Sequence, residues 1–195
     1  MRIFIIIVLC MVHMHILAQD VDFKLLNNSR IQTNKTGMLV LGSWGAANVV
    51  GGLAGYAIAD NAEWQSFHAM NAVWGAVNGL IAVGGYMGTK RELMRDYSMD
   101  EAYDKYKSSK RLYLINAGLD VLYIGTGAAL IAYAPGFSKP QMWSGFGKSI
   151  AFQGIALLVF DGVMYGVHQG KNRKWIKALG GLGMTSDGIG YIYRF

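Results

Sequence analysis

The chain has one cysteine, two prolines and few charges: Cys10, Pro135 and Pro140 stand alone, and Asp, Glu, Lys and Arg make up 15% of its 195 residues. Cys10 lies in an N-terminal apolar stretch. Once that stretch is removed no thiol remains, which excludes disulfides, thiolate metal sites, iron–sulfur ligation and a cysteine nucleophile. With 26 glycines and only two prolines, the glycine is no Pro/Gly-rich linker signature. Soluble domains carry roughly a quarter charged residues, and this chain falls well short. It also lacks a nucleophile elbow, an HExxH pair, a P-loop and a dinucleotide-binding glycine fingerprint, so we expect no enzyme and no cofactor. The formal charge of +6 comes from residues between the apolar stretches, not from a basic stripe with stacking aromatics, so nucleic acid is not an expected partner.

Apolar residues reach 53%, and they are clumped. Met1 and Arg2 start a charged, then apolar, then small-residue order ending at Ala18, which is that of a signal peptide over residues 1–18. Residues 19–36 are polar and read as a mobile or surface-lying tail. Four stretches without Lys, Arg or Glu over their apolar length follow, at about 37–59, 67–88, 112–134 and 149–168. About 20 residues at 1.5 Å rise cross a 30 Å hydrocarbon core, and no period-two alternation argues for strands. The expectation is an all-α membrane protein whose domain, residues 37–170, holds four transmembrane helices as two hairpins. The lipid bilayer is its solvent.

Local signals place the connections. Asp60 and Glu63 have the spacing of a cap for the second helix, and Ala134-Pro135-Gly136 ends the third, with Pro140 stopping its continuation. A charged loop spans 89–111, in which Ser98 and Glu101 form a capping box opening a helix towards the third span. Tyr97, Ala102, Tyr103 and Tyr106 are expected along the membrane interface, and Trp44, Trp64, Trp143 and Trp175 as belt anchors. His68 and His168 read as interfacial, and Trp74 as packed. Residues 171–195 form a basic tail, in which the alternation of Ile189, Tyr191, Tyr193 and Phe195 after a Ser186-Asp187-Gly188 turn predicts a short C-terminal β-hairpin, with an irregular tail as the other option.

An offset of 72 sets Asn48 on Asp120 and Gly55 on Gly127, and an offset of 83 sets Asn78 on Asp161. The two hairpins can thus be read as a parallel internal repeat. Small residues four apart, Gly51/Gly55, Gly75/Gly79, Gly162/Gly166 and Gly125/Ala129, supply the close backbone contact that must drive helix association in lipid. The same faces could serve self-association or docking of other membrane proteins. Asp120 and Asp161 lie mid-span, where a carboxylate costs about 2.5–3.5 kcal/mol. With Asn48, Asn71, Asn78 and Asn116 they form the candidate intramembrane polar site. Two roles fit: hydrogen-bonded glue in a non-catalytic scaffold or subunit of a membrane complex, which is the first reading, or a protonatable site at Asp120 and Asp161 in a small transporter or channel.

Positive charge is one-sided. The tail, the middle loop and the C-terminus carry 3, 7 and 5 Lys/Arg and the other two loops 0 and 2, which puts the first group in the cytoplasm. A cleaved signal would put that group outside. The bacterial inner membrane is the expected location, with the outer membrane as the other option. The run Gly42-Ser43-Trp44-Gly45 to Asn48, with Phe67-His68-Ala69-Met70-Asn71, Trp74 and Asn78-Gly79, resembles an uncharacterised family of small multi-pass bacterial membrane proteins. The resemblance covers mainly residues 37–88 and implies no activity.

Overall fold

A computed structural model of the protein describes the backbone of residues 2–179, 183–185 and 188–190, and side chains from Phe23 to Leu179. The chain folds as helices α1 (Arg2–Ile58), α2 (Ala62–Leu93), α3 (Met99–Tyr133), α4 (Pro140–Gly170) and α5 (Asn172–Leu179), with a 3-10 turn at Ala134–Gly136. Each of the first four is longer than the apolar stretch it contains. Three segments, Phe23–Ile58, Met99–Gly136 and Pro140–Leu179, are long and apolar enough to cross a membrane. Near the C-terminus Gly183–Thr185 (β1) and Gly188–Gly190 (β2) lie antiparallel. The turn between them and residues 191–195, on which the expected hairpin rests, fall outside the described residues, as do the side chains of the expected signal peptide.

Local chemistry sets the helix ends. Ser98 and Glu101 form the expected reciprocal capping box at the start of α3. The cap of α2 is a correction: Asn61, not Asp60, accepts from Trp64 N at 3.0 Å. Glu63 instead reaches across to α4, where it pairs with Lys148 and accepts from Ser144 Oγ at 2.7 Å. Pro140 opens α4 at a position where its missing N–H costs nothing, so that helix begins nine residues before the expected Ser149. The tail is corrected too. Residues 23–36 continue α1 and are packed, with Phe23, Asn27, Arg30 and Ile31 buried.

The buried positions explain the packing. On α1 they include Leu41, Gly45, Asn48, Gly52 and Gly55; on α3, Ala102, Tyr106, Ser109 and Tyr113, continuing at Asp120 and Gly127. Spacings of three and four in alternation make a seam with a period near 3.5, which winds helices into a left-handed bundle. The seam is small or polar, whereas the outer faces carry Val50, Leu53, Ile58, Leu80, Leu122, Val159 and Val163, all at least 60% exposed. A water-soluble bundle distributes these residues the other way round. This polarity is what a bundle solvated by hydrocarbon requires, since lipid tails reward apolar surface and leave polar groups to find partners inside.

Close contact runs through one member each of two expected pairs, Gly55 and Gly75, and otherwise through further glycines. A Cβ on Gly45 would lie 2.7 Å from Gly75 O, and one on Gly127 2.6 Å from Gly147 O, so α1 presses on α2 and α3 on α4 backbone to backbone. Gly52 and Gly154 repeat the contact seven residues after Gly45 and Gly147. By contrast Gly51, Gly125, Gly162 and Gly166 face open space. The left-handed seam uses every seventh position, and a four-residue spacing drifts off it. Across the hairpins α2 packs on α4 and α1 touches α3 lightly, while α2 and α3 hardly meet.

Candidate functional site

The six expected site residues divide into two groups with opposite hydrogen-bonding character. The first is complete. Gln153 of α4, fully buried, donates through Nε2 to Asn48 Oδ1 of α1 at 2.7 Å and to Asn71 Oδ1 of α2 at 2.8 Å. Its own oxygen accepts from Trp44 Nε1 at 3.0 Å. Asn71 takes a further bond from Ser149 Oγ at 2.9 Å, and Asn48 Nδ2 donates to Trp44 O at 2.8 Å. Three helices are fastened in this way at one level, and none of these atoms is left without a partner. Trp44 is thereby a bundle residue, in place of the belt anchor expected of it. The sequence did hold a signal for Gln153: it lies two turns before Asp161 on the same helical face.

The second group is incomplete. Asp120 on α3 and Asp161 on α4 are 3% and 4% exposed, and their carboxyls stand within hydrogen-bonding reach of one another, with Asn116 close to Asp161. Such a bond between two carboxyl groups exists only with a proton on one of them. Asp120 Oδ2, Asp161 Oδ1 and the Asn78 amide nitrogen nevertheless have no partner. All four residues line a cleft of about 570 Å³ between α2 and α3, whose walls include Trp74 and Tyr123 in edge-on contact at 5.1 Å. A buried polar atom without a partner costs about 1–3 kcal/mol, and three of the six among the described residues gather here, the others being Arg30 Nη2, His168 Nδ1 and Trp175 Nε1.

A third network, absent from the sequence reading, closes the end of the bundle where α1 enters. Asn34 Oδ1 accepts from Tyr113 OH at 3.3 Å and meets His168 Nε2 at 2.8 Å, while its nitrogen donates to Ser109 Oγ at 3.1 Å. Arg30, 1% exposed, pairs with Glu92 at 2.9 Å. Trp175 is buried against Tyr106, their rings stacked at 5.1 Å. His168, Trp175, Ala102 and Tyr106 are therefore core residues and not the interfacial ones expected. The helices overhang the apolar segments here, and the overhang packs as a small domain end of its own. Glu63, at the opposite end, is held below the ordinary carboxylate range by the Lys148 ammonium and then by the Ser144 hydroxyl.

No curated protein and no solved structure matches the chain. A family model does match over residues 40–162, a stretch that contains both amide and carboxyl groups and ends just past Asp161. The chain belongs to that family, DUF6992, a family of unknown function.

Proposed function

We propose that the protein is a four-span integral membrane protein whose working site is the Asp120–Asp161 pair, a proton- or cation-binding centre of the kind a small transporter needs. The observation that carries this is the pairing of two buried carboxyls, each with a free oxygen, on the wall of a cleft. Pure glue would resemble the Gln153 cluster, in which no buried polar atom lacks a partner. Two carboxylates in contact cannot both be ionised in a medium of low dielectric, so the pair takes up and gives up protons as a unit. The titratable groups that face it in the cleft are Tyr113 and Tyr123 from α3 and Glu92 from α2; α1 presents Asn34, Met38 and Leu41, none of them charged.

The fourth span is α2. It has 32 residues, ample for a 30 Å core, and its average hydropathy is lowered by Asn71, Asn78 and glycines that point inward. Its outward face carries Val73, Val77, Leu80, Ile81 and Val83. The two hairpins are read as a parallel repeat, supported by one contact: Gly55 abuts His68 in the first, and Gly127 abuts Ala151 in the second, which are the same positions under offsets of 72 and 83.

Infrared spectroscopy of the protein in lipid bilayers tests the site. A protonated-carboxyl band that responds to pH and is lost in both Asp120→Asn and Asp161→Asn is expected; a wild-type protein without that band at any pH rules the site out. A second reading, a scaffold or complex subunit, draws on Gly84, Gly162 and Gly166, which face open space on the outer surface and would admit a neighbouring helix. Bulky substitutions there that change the oligomeric state in bilayers would favour it.

A further inference from the structure

We infer that the α2–α3 cleft accepts a lipophilic primary ammonium ion from the bilayer in exchange for the proton of the acid pair, an inference that rests on the proton-binding reading above. The chemistry of the cleft selects this class of ligand. Its two orphaned carboxyl oxygens, Asp120 Oδ2 and Asp161 Oδ1, are acceptors that lack N–H donors, and an alkylammonium head brings three. Asn78, 3% exposed, adds an amide to the same cleft; its unpartnered N–H can donate to a carboxylate that the exchange leaves ionised, and not to the ammonium itself. Leu112, Leu119 and Ile81 line the rest, a wall for an alkyl or aryl tail. About 570 Å³ lies within the range of small-molecule sites. Because α2 and α3 hardly touch, the opening faces lipid, the phase in which such amines concentrate.

A multivalent metal ion fits less well: among the described residues no group of three or more His, Cys, Asp or Glu side chains is placed to hold one. The exchange balances. The protonated pair releases one H⁺ as R–NH₃⁺ enters, the amine keeps its own protons, and the net charge within the cleft is unchanged. No bond other than the acid O–H is broken.

A second cleft, between α1 and α4, acts as an internal comparison. Under the offset of 72 its Val40, Leu41 and Trp44 take the places of Leu112, Tyr113 and Asn116, and under 83 its Leu157 and Met164 those of Trp74 and Ile81. This twin is no smaller, at about 860 Å³, but no carboxylate lines it. Of two related clefts, only one offers a counter-ion.

Isothermal titration of the full chain in bilayer nanodiscs with n-octylamine, n-octanol and octyltrimethylammonium tests this. In buffers of different protonation enthalpy, octylamine should bind saturably and release one proton. Octyltrimethylammonium, which has charge without N–H, should bind about tenfold more weakly, and octanol should only partition. Asp161→Asn should abolish the proton release. Ile81→Trp, which fills the cleft without touching the acids, should block octylamine while leaving the carboxyl infrared band in place. Octylamine that partitions like octanol, or that releases its proton undiminished in Asp161→Asn, overturns the inference. A carboxyl band present but unmoved by octylamine removes the amine and leaves the proton site standing; absence of the band removes both.

Discussion

Gln153 donates to Asn48 Oδ1 at 2.7 Å, and the same amide group reaches Asn71 on a third helix. One side chain thus joins the two hairpins at a depth where water cannot compete. Gln153→Leu would leave the Asn48 oxygen and the Trp44 N–H unpaired and Asn71 Oδ1 with Ser149 alone. Hydrogen bonds between membrane helices average about 0.6 kcal/mol, so three lost together should cost about 2 kcal/mol, read as a lower unfolding free energy in bilayers. A loss indistinguishable from zero would mean that the amides find other partners and that the cluster is not what fastens α4.

Glycine effects should split by position, not by type. Gly127→Val puts methyls where Ala151 N and Gly147 O already stand at 2.6 Å, and α3 must move off α4, at a cost of about 2–4 kcal/mol. Gly162→Val, on the open face of α4, should change stability by less than about 0.5 kcal/mol. Parallel thermal melts of the two purified variants check this, and equal destabilisation would contradict the seam.

Arg30 is enclosed by Asn27 and Glu92, to which it donates at 2.9 Å each. Arg30→Met leaves Glu92 with only Lys105, 3.7 Å away. Breaking a buried pair costs about 3–5 kcal/mol, and with Glu92 partly exposed the lower end is expected. Limited proteolysis should then show earlier cutting within residues 23–36, the stretch packed against the bundle in the wild-type protein.

Acidification should loosen the α2–α4 contact at the Glu63 end. The carboxyl of Glu63 is held below its ordinary value of 4.5 by Lys148 and Ser144. Its contribution is therefore complete above that value and is lost as pH falls through the lower, folded-state one. Spin labels on α2 near Ala62 and on α4 near Gln141 should separate only on strong acidification, and Glu63→Gln should remove that pH dependence.

The sequence carried the helices more clearly than their partners. Apolar runs and the Ser98–Glu101 box marked α3, because capping is a local interaction among four consecutive residues. The fate of residues 20–36 was illegible for the opposite reason. Asn27, Arg30 and Asn34 look like a solvated tail until Glu92 and His168 arrive from residues more than 60 positions away. The polar site was half legible. Asp120 and Asp161 stand out by their cost in an apolar run, and they do meet. That Asn48 and Asn71 belong to a different, saturated cluster depends on Gln153, whose neutral amide draws little notice in a hydrophobic stretch. Glycine spacing misled because GxxxG and heptad spacings coexist in so glycine-rich a chain, and only packing decides which face is inside.

Single-cysteine accessibility tests most directly that lipid is the solvent of all four helices. In a Cys10→Ser background, Asp60→Cys and Ser138→Cys should react with a membrane-impermeant maleimide from one side of sealed vesicles, and Asp96→Cys only from the other. Labelling of all three from the same side, or of Val50→Cys and Leu80→Cys as fast as the loops, would contradict it.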